Sequence, residues 1–157
     1  MGVVLKTSTT KIAMPPEKVW ELLDQGFNEI SKWADGVTSS KANPQTPNGL
    51  NGSTSGGRIC DVKGVGLTDE RMVEFDATKR SLTYSVQSKG LPFFVTGLQN
   101  KWTVNSDGAA GSEVKVELSA FTKGVMGAIG SIPLGRMLGK GAVGLPNDLK
   151  LHLEKSK

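Results

Sequence analysis

The clearest pattern in the chain is alternation. Leu82, Tyr84 and Val86 alternate with Ser81, Thr83, Ser85 and Gln87, and Leu98, Asn100, Trp102 and Val104 alternate with Gln99, Lys101 and Thr103. Val114, Val116, Leu118 and Ala120 repeat the pattern after a turn that contains Asp107-Gly108. A period of two with one polar face is what a half-buried antiparallel sheet requires. Arg58–Lys63 predicts another strand, with Arg58, Cys60 and Val62 on one face. Thr68–Asp76 reads as a strand of muddled alternation, placing Val73 and Phe75 with Arg71, and Met72 with Glu70 and Glu74. Val3–Met14, rich in Val, Thr and Ile, and Val37–Ala42 complete a set of seven.

Helical spacing appears in two places. After Pro15-Pro16, Val19, Leu22 and Leu23 share one face of a short helix that Gly26 ends. Phe27, Ile30 and Trp33 follow at three-residue steps, a second short helix before Gly36. The long terminal helix is expected from Val125 onward. Gly127, Ser131, Gly135 and Gly139 recur there at i+4, interleaved with Met126, Ile129, Ile132, Leu134, Met137 and Leu138, and Pro133 predicts a break or bend. Glycine in a helix interior costs about 1 kcal/mol against alanine, so the small-residue face implies a close neighbour or space for a guest. Strand, two short helices, about six strands and a long helix make an α+β domain spanning residues 1–157. A sheet of that size must curl around its helix, leaving a space between them.

Three stretches read as connections. Residues 43–57, NPQTPNGLNGSTSGG, are a mobile loop or a long hairpin connection. Gly64-Val65-Gly66-Leu67 is a flexible loop, and Gly90-Leu91-Pro92-Phe93-Phe94 is a break with an apolar tip. Two adjacent phenylalanines cannot both be buried by alternation. One either caps a cavity mouth or makes a contact with another molecule.

Composition narrows the function classes. A single cysteine, Cys60, excludes a disulfide framework, and one cysteine with one histidine, His152, cannot form an ordinary zinc site. No metal or cofactor is expected. The start MGVVLKTST lacks a signal-peptide pattern, which predicts a cytoplasmic protein. The net charge of +4 sits in the last forty residues, where six basic residues face Asp148 and Glu154; the remaining chain carries 13 of each sign. A basic helix of this kind is either a solvated face or a surface for an anionic ligand or membrane. No basic run interleaves with aromatics, so no nucleic-acid partner is expected. Gly64-Val65-Gly66 precedes no helix and fails as a nucleotide loop.

The segments PPEKVWELL, then Phe27…Trp33…Gly36-Val37, Gly57-Arg58, and TDERMVEFDATKRSLTYSV leading into GLP occur in an order that resembles the START-like superfamily. This superfamily is also called helix-grip or SRPBCC and includes the birch-pollen allergen. The resemblance spans nearly the whole chain, and the closing NDLKLHLEK is similar to the end of the bacterial polyketide cyclase/dehydrase-like branch. It implies a seven-stranded curved antiparallel sheet wrapped around a long C-terminal helix, with a deep cavity between them for apolar or amphipathic ligands. Plant abscisic-acid receptors share that architecture and close two loops over the ligand. Gly64–Leu67 and Gly90–Phe93 lie where those loops would be, but the second differs in residues, so hormone signalling does not carry over. The resemblance also points Glu70, and more weakly Asn147, at the cavity.

Arg58, Tyr84 and Asn100 fall on otherwise apolar strand faces. Buried polar groups without partners cost about 1–3 kcal/mol each, so these must pair with one another or await a ligand. Two readings stand: the polar contacts of an apolar pocket, or an internal Arg58–Glu70 pair with Tyr84 satisfied locally. The pocket reading takes Arg58, Cys60, Val62, Glu70, Met72, Tyr84, Val86, Phe93, Leu98, Asn100, Gly135 and Asn147 as lining. Glu70, Arg58 and Tyr84 are then the candidates for acid–base chemistry if the chain turns a substrate over. Cys60 reads as an inert packing residue and His152 as exposed or structural. The expected function is binding of a hydrophobic or amphipathic small molecule, as carrier or sensor. The alternatives are a polyketide cyclase/dehydratase in the same cavity, and a peripheral lipid or quinone carrier using Met126–Leu145 with Arg136 and Lys140. Neither ligand nor oligomeric state is legible.

Overall fold

A computed structural model of the chain describes residues 2–108 and 110–155. Seven strands, β1 (Gly2–Ile12), β2 (Val37–Ala42), β3 (Gly57–Val62), β4 (Gly66–Asp76), β5 (Ser81–Gln87), β6 (Val95–Ser106) and β7 (Ser112–Thr122), form one antiparallel sheet in the order β1-β7-β6-β5-β4-β3-β2. The first two strands are its opposite edges. The chain between them, α1 (Pro16–Asp24) and the short 3₁₀ helix α2 (Phe27–Lys32), therefore crosses the sheet, with α1 packing on β6 and β7 and α2 on β2 and β3.

Local chemistry explains both crossing helices. Pro16 sits in the first turn of α1, where its missing N–H costs nothing, and Pro15 O accepts the N–H groups of Lys18 and Val19. At three residues per turn, the step between Phe27, Ile30 and Trp33 is the 3₁₀ repeat itself, so all three side chains fall on the face toward the sheet. The core they cover is built from Val114, Val116, Leu118 and Ala120 of β7, Trp102 and Val104 of β6, and Leu82, Tyr84 and Val86 of β5. Each large apolar side chain there contributes on the order of 1.5–3 kcal/mol by leaving water.

Several expectations need correction. Strand β4 carries a bulge between Met72 and Glu74, so Val73 is the extra residue and is exposed. Phe75 then turns inward with Met72 and Glu70 rather than sharing a face with Arg71 and Val73. Gly64–Leu67 is not a loop. Residues 63–65 make a tight turn, with Gly64 at φ 79° and Gly66 at φ 88°, and β4 has already begun at Gly66. Residues 43–56 join two neighbouring strands as a hairpin connection, held by short polar side chains: Thr54 N–H donates to Asp24 Oδ1 at 3.0 Å, and Ser53 Oγ donates to Ser55 O at 2.8 Å.

The terminal helix is not continuous either. It divides at Gly130 into α3 (Gly124–Ile129) and α4 (Ser131–Lys155). Pro133 lies in the first turn of α4; its missing N–H leaves the Ile129 carbonyl at the end of α3 without a helical donor, so the break falls in the turn before it, as its position predicts. The proline inside the helix is Pro146, fully buried. Lacking an N–H, it cannot pair with the carbonyl of Ala142 one turn earlier. Ser8 Oγ, from β1, donates to that carbonyl instead. The helix is thereby fastened to the sheet edge, where it packs on β1 and β7 through Leu134, Leu138, Ala142, Leu149 and Leu153.

Candidate functional site

Arg58 and Glu70 face each other across β3 and β4, in register, and both are buried. Arg58 Nε and Nη2 approach Glu70 Oε1 at 3.0 and 2.9 Å, and Arg58 Nη1 donates to the Phe27 carbonyl at 2.7 Å. The second carboxylate oxygen accepts from Thr68 Oγ1 at 2.7 Å. The guanidinium is sandwiched by aromatics, its carbon 4.0 Å from the Phe27 ring centre and 4.7 Å from that of Tyr84. Burial is the largest single influence and works against its charge, but Glu70, Tyr84 and Cys60 together outweigh it and hold the guanidinium above the ordinary arginine value. Tyr84 and Asn100 also face each other in register, and Asn100 Nδ2 donates to the Tyr84 hydroxyl at 3.0 Å. Burial pushes the Tyr84 phenol up, with Arg58 pulling the other way. Burial likewise pushes the Cys60 thiol up to about 12, which leaves it a protonated packing residue at neutral pH.

This cluster is saturated. Both Glu70 oxygens already accept bonds from Arg58 or Thr68 and the residue is buried, so the carboxylate is not presented to a substrate. The space beside it is small: a pocket of about 10 Å³ whose lining includes Phe27, Trp33, Arg58, Tyr84 and Trp102, room for one water at most. It lies beneath α1 and α2, not between the sheet and the C-terminal helix. The buried indole N–H of Trp33 borders it and has no protein partner. The expected deep cavity is thus filled at this point by Phe27, Trp33 and Arg58 themselves.

The larger space is at one end of the sheet. A groove of about 650 Å³ is lined by Val65, Leu67, Gln87, Ser88, Lys89 and Gly90, between the β3–β4 turn and the β5–β6 loop. The two walls touch at its base. A Cβ built on Gly90 would lie 1.9 Å from the Val65 carbonyl oxygen, and Ser88 Oγ donates to Leu67 O at 2.8 Å while accepting the Gly90 N–H at 3.1 Å. Thr68, which holds Glu70, follows Leu67 on β4 but points to the buried face, so groove and polar cluster lie on opposite sides of that strand.

The remaining candidate residues divide. Cys60, Met72 and Val86 are buried on the concave face, and Val62 and Leu98 are partly buried against the same core. Phe93 is 73 % exposed and lines neither space; its neighbour Phe94 packs on the core instead. Asn147 is exposed on α4. Gly135 faces β1, where an added Cβ would lie 3.3 Å from Lys6 Cε and 3.6 Å from Val4 Cγ1, and Gly127 faces Thr122. Two glycines of the small-residue face thus admit the sheet edge to the helix, not a guest. His152 is half-buried near the end of α4. The parts not anticipated are the Phe27 carbonyl, which nothing in a sequence announces, and Thr68, which period-two spacing from Glu70 could have revealed. Among the described residues, no three His, Cys, Asp or Glu side chains are grouped as a metal site needs.

Comparisons with known proteins agree with this architecture. The sequence model of a family described as polyketide cyclase/dehydrase and lipid transport matches residues 5–147. Among solved structures, a START superfamily protein from Mycobacterium smegmatis superposes with a TM-score of 0.76 at 14 % identity, covering 99 % of this chain and 100 % of its own. Ara h 8.0201 gives 0.73 at 14 % identity, over 98 % and 99 %. The protein XoxI from Bacillus cereus gives 0.70 at 24 % identity, over 95 % and 94 %. No curated protein matches.

Proposed function

Because this chain belongs to the polyketide cyclase/dehydrase and lipid transport family, we propose that it binds a hydrophobic or amphipathic small molecule, as a carrier or sensor, in the groove between the β3–β4 turn and the β5–β6 loop. The observation that carries this reading is the groove itself. Its volume of about 650 Å³ falls within the usual range for small-molecule sites, which the 10 Å³ pocket does not approach. Val65 and Leu67 offer apolar contact, while Gln87 and Lys89 offer an amide and an ammonium to a polar head; the Ser88 hydroxyl is occupied in joining the two walls. The Arg58–Glu70–Thr68 cluster lies on the opposite, inward face of the sheet and is not part of the groove's lining. Since both Glu70 oxygens are already bonded, the geometry supports binding over proton transfer.

Native mass spectrometry of the purified protein should reveal a co-purifying small molecule, and a medium-chain fatty acid should displace an environment-sensitive apolar dye. Leu67→Arg, on an exposed side chain, should weaken dye uptake by about tenfold, the loss of roughly one apolar contact plus an unpaired charge. Folded Leu67→Arg protein with undiminished uptake, together with spectra free of any adduct, would sink the reading.

A further inference from the structure

A second surface lies at the corner where α3 meets α4. Val125 (76 % exposed), Ile129 (66 %) and Ile132 (68 %) stand there in water. The aromatic tip of the β5–β6 loop joins them. Phe94 fills the break at Gly130, where an added Cβ would come within 2.5 Å of its ring, and its carbonyl accepts the Lys123 N–H at 2.8 Å. Phe93 packs edge-on against Phe94 at 5.7 Å and projects outward beside the corner. Along α4, Ile132, Arg136, Lys140 and Val143 follow one another at helical spacing on the side away from the buried line. Clustered exposed apolar groups of this kind on a soluble fold mark an interaction site.

Charge identifies the partner. Residues 1–16, 77–106 and 118–147 together hold nine lysines and arginines and not one aspartate or glutamate. These segments supply β1, β5, β6, the 88–94 loop, the end of β7, α3 and most of α4. Of these cations, Lys89, Lys123, Arg136 and Lys140 lie toward this corner, where Gly2 and Val95 both pair with Thr122, whereas Lys11, Lys79 and Arg80 sit at the opposite end of the sheet, Lys11 beside Asp107 and Arg80 beside Glu17. Across the groove, the β3–β4 hairpin carries Asp61 and Asp69, the latter held by Arg71 at 2.9 Å. A second copy docking by a two-fold axis would set cations against cations. An anionic bilayer supplies the missing sign over a broad area and accepts apolar side chains to headgroup depth.

We propose that this corner docks on an anionic lipid surface, with Phe93, Val125, Ile129 and Ile132 entering the headgroup layer and Lys123, Arg136 and Lys140 lying against its phosphates. The surface adjoins the groove but is separate from it, so it goes beyond the binding reading and is tested without a guest. Purified protein is sedimented with vesicles of phosphatidylcholine, or of about three parts phosphatidylcholine to one part phosphatidylserine. It should pellet with the second and not the first, and be released in about 1 M salt, where the screening length falls to about 3 Å. At about fivefold per cation, Lys123→Gln, Arg136→Gln and Lys140→Gln together should lower partitioning about a hundredfold. Ile129→Asp should abolish it, while Leu151→Asp, on an exposed residue at the far end of α4, should not. Leu67→Arg should keep full vesicle binding, which separates failure of this proposal from failure of the groove. No pelleting, equal pelleting on both vesicles, or an unaffected triple variant would overturn it. So would a dimer in sedimentation velocity that Ile129→Asp converts to monomer, which would assign the face to a second copy.

Discussion

Arg58 and Arg136 are the same side chain in opposite circumstances. Arg58 is enclosed, its guanidinium between two aromatic rings and bonded to Glu70 and the Phe27 carbonyl. Arg136 is exposed on a helix that carries no carboxylate before Asp148. A charge buried with all its partners defines structure, because nothing outside can reach it without first breaking it. A charge left in water beside unpartnered apolar groups is free to be used.

The largest expected effect tests the first half of that contrast. Glu70→Leu leaves a buried guanidinium without its carboxylate and should cost about 3–5 kcal/mol, with Arg58→Met costing about the same for the reciprocal reason. The double variant Arg58→Met/Glu70→Leu removes both charges and should recover most of the loss, since apolar replacement of a buried pair is often neutral. Arg136→Met should stay within about 0.5 kcal/mol of the parent. Urea melts of the four variants decide the matter. If Glu70→Leu is no more costly than Arg136→Met, the enclosed cluster is not structural and the contrast fails.

The two ends of α4 repeat the comparison on a smaller scale. Toward its C-terminus, Pro146 frees the Ala142 carbonyl and Ser8 claims it, tying helix to edge strand. Toward its N-terminus, Ile132, Arg136 and Met137 face solvent. Ser8→Ala should therefore cost about 1–2 kcal/mol, the penalty of a half-buried carbonyl left without a donor. Hydrogen exchange should quicken around Ala142 more than around Ile132. Uniform quickening along the helix would show that the fastening is not local.

Strand assignment and inward faces were legible wherever period two ran unbroken, as at Leu82–Val86 and Val114–Ala120, because side-chain direction in a strand depends only on parity. It failed at Val73, where the bulge shifts parity without any residue type announcing it. The 3₁₀ step of Phe27, Ile30 and Trp33 was visible as spacing. The Arg58–Glu70 pair was legible as one of two readings, since alternation turns Arg58 inward and the family resemblance adds Glu70; that Phe27 O completes it was not, because a backbone carbonyl carries no sequence signature. The interior volume was least legible of all. Aromatic side chains that read as core could either line a space or fill it, and only their packing shows that Phe27, Trp33 and Trp102 fill it down to about 10 Å³.

The glycines of the terminal segment give the finest version of the same comparison. Spacing alone puts Gly135 and Gly139 on one face, yet their surroundings differ. A methyl group at Gly135 would press on Lys6 Cε at 3.3 Å and Val4 Cγ1 at 3.6 Å, whereas at Gly139 it would meet nothing within 4 Å. Replacing a helical glycine by alanine in open space restricts the unfolded chain and should stabilise by up to about 1 kcal/mol. Gly139→Ala should show that full gain. Gly135→Ala should show less, because the Lys6 chain end must shift to admit it. Thermal and urea melts rank the two, and vesicle binding should be the same for both, since neither methyl group reaches the Phe93–Ile129 corner. A larger gain at Gly135 would mean that the helix does not rest on β1 as closely as its contacts with Val4 and Lys6 require.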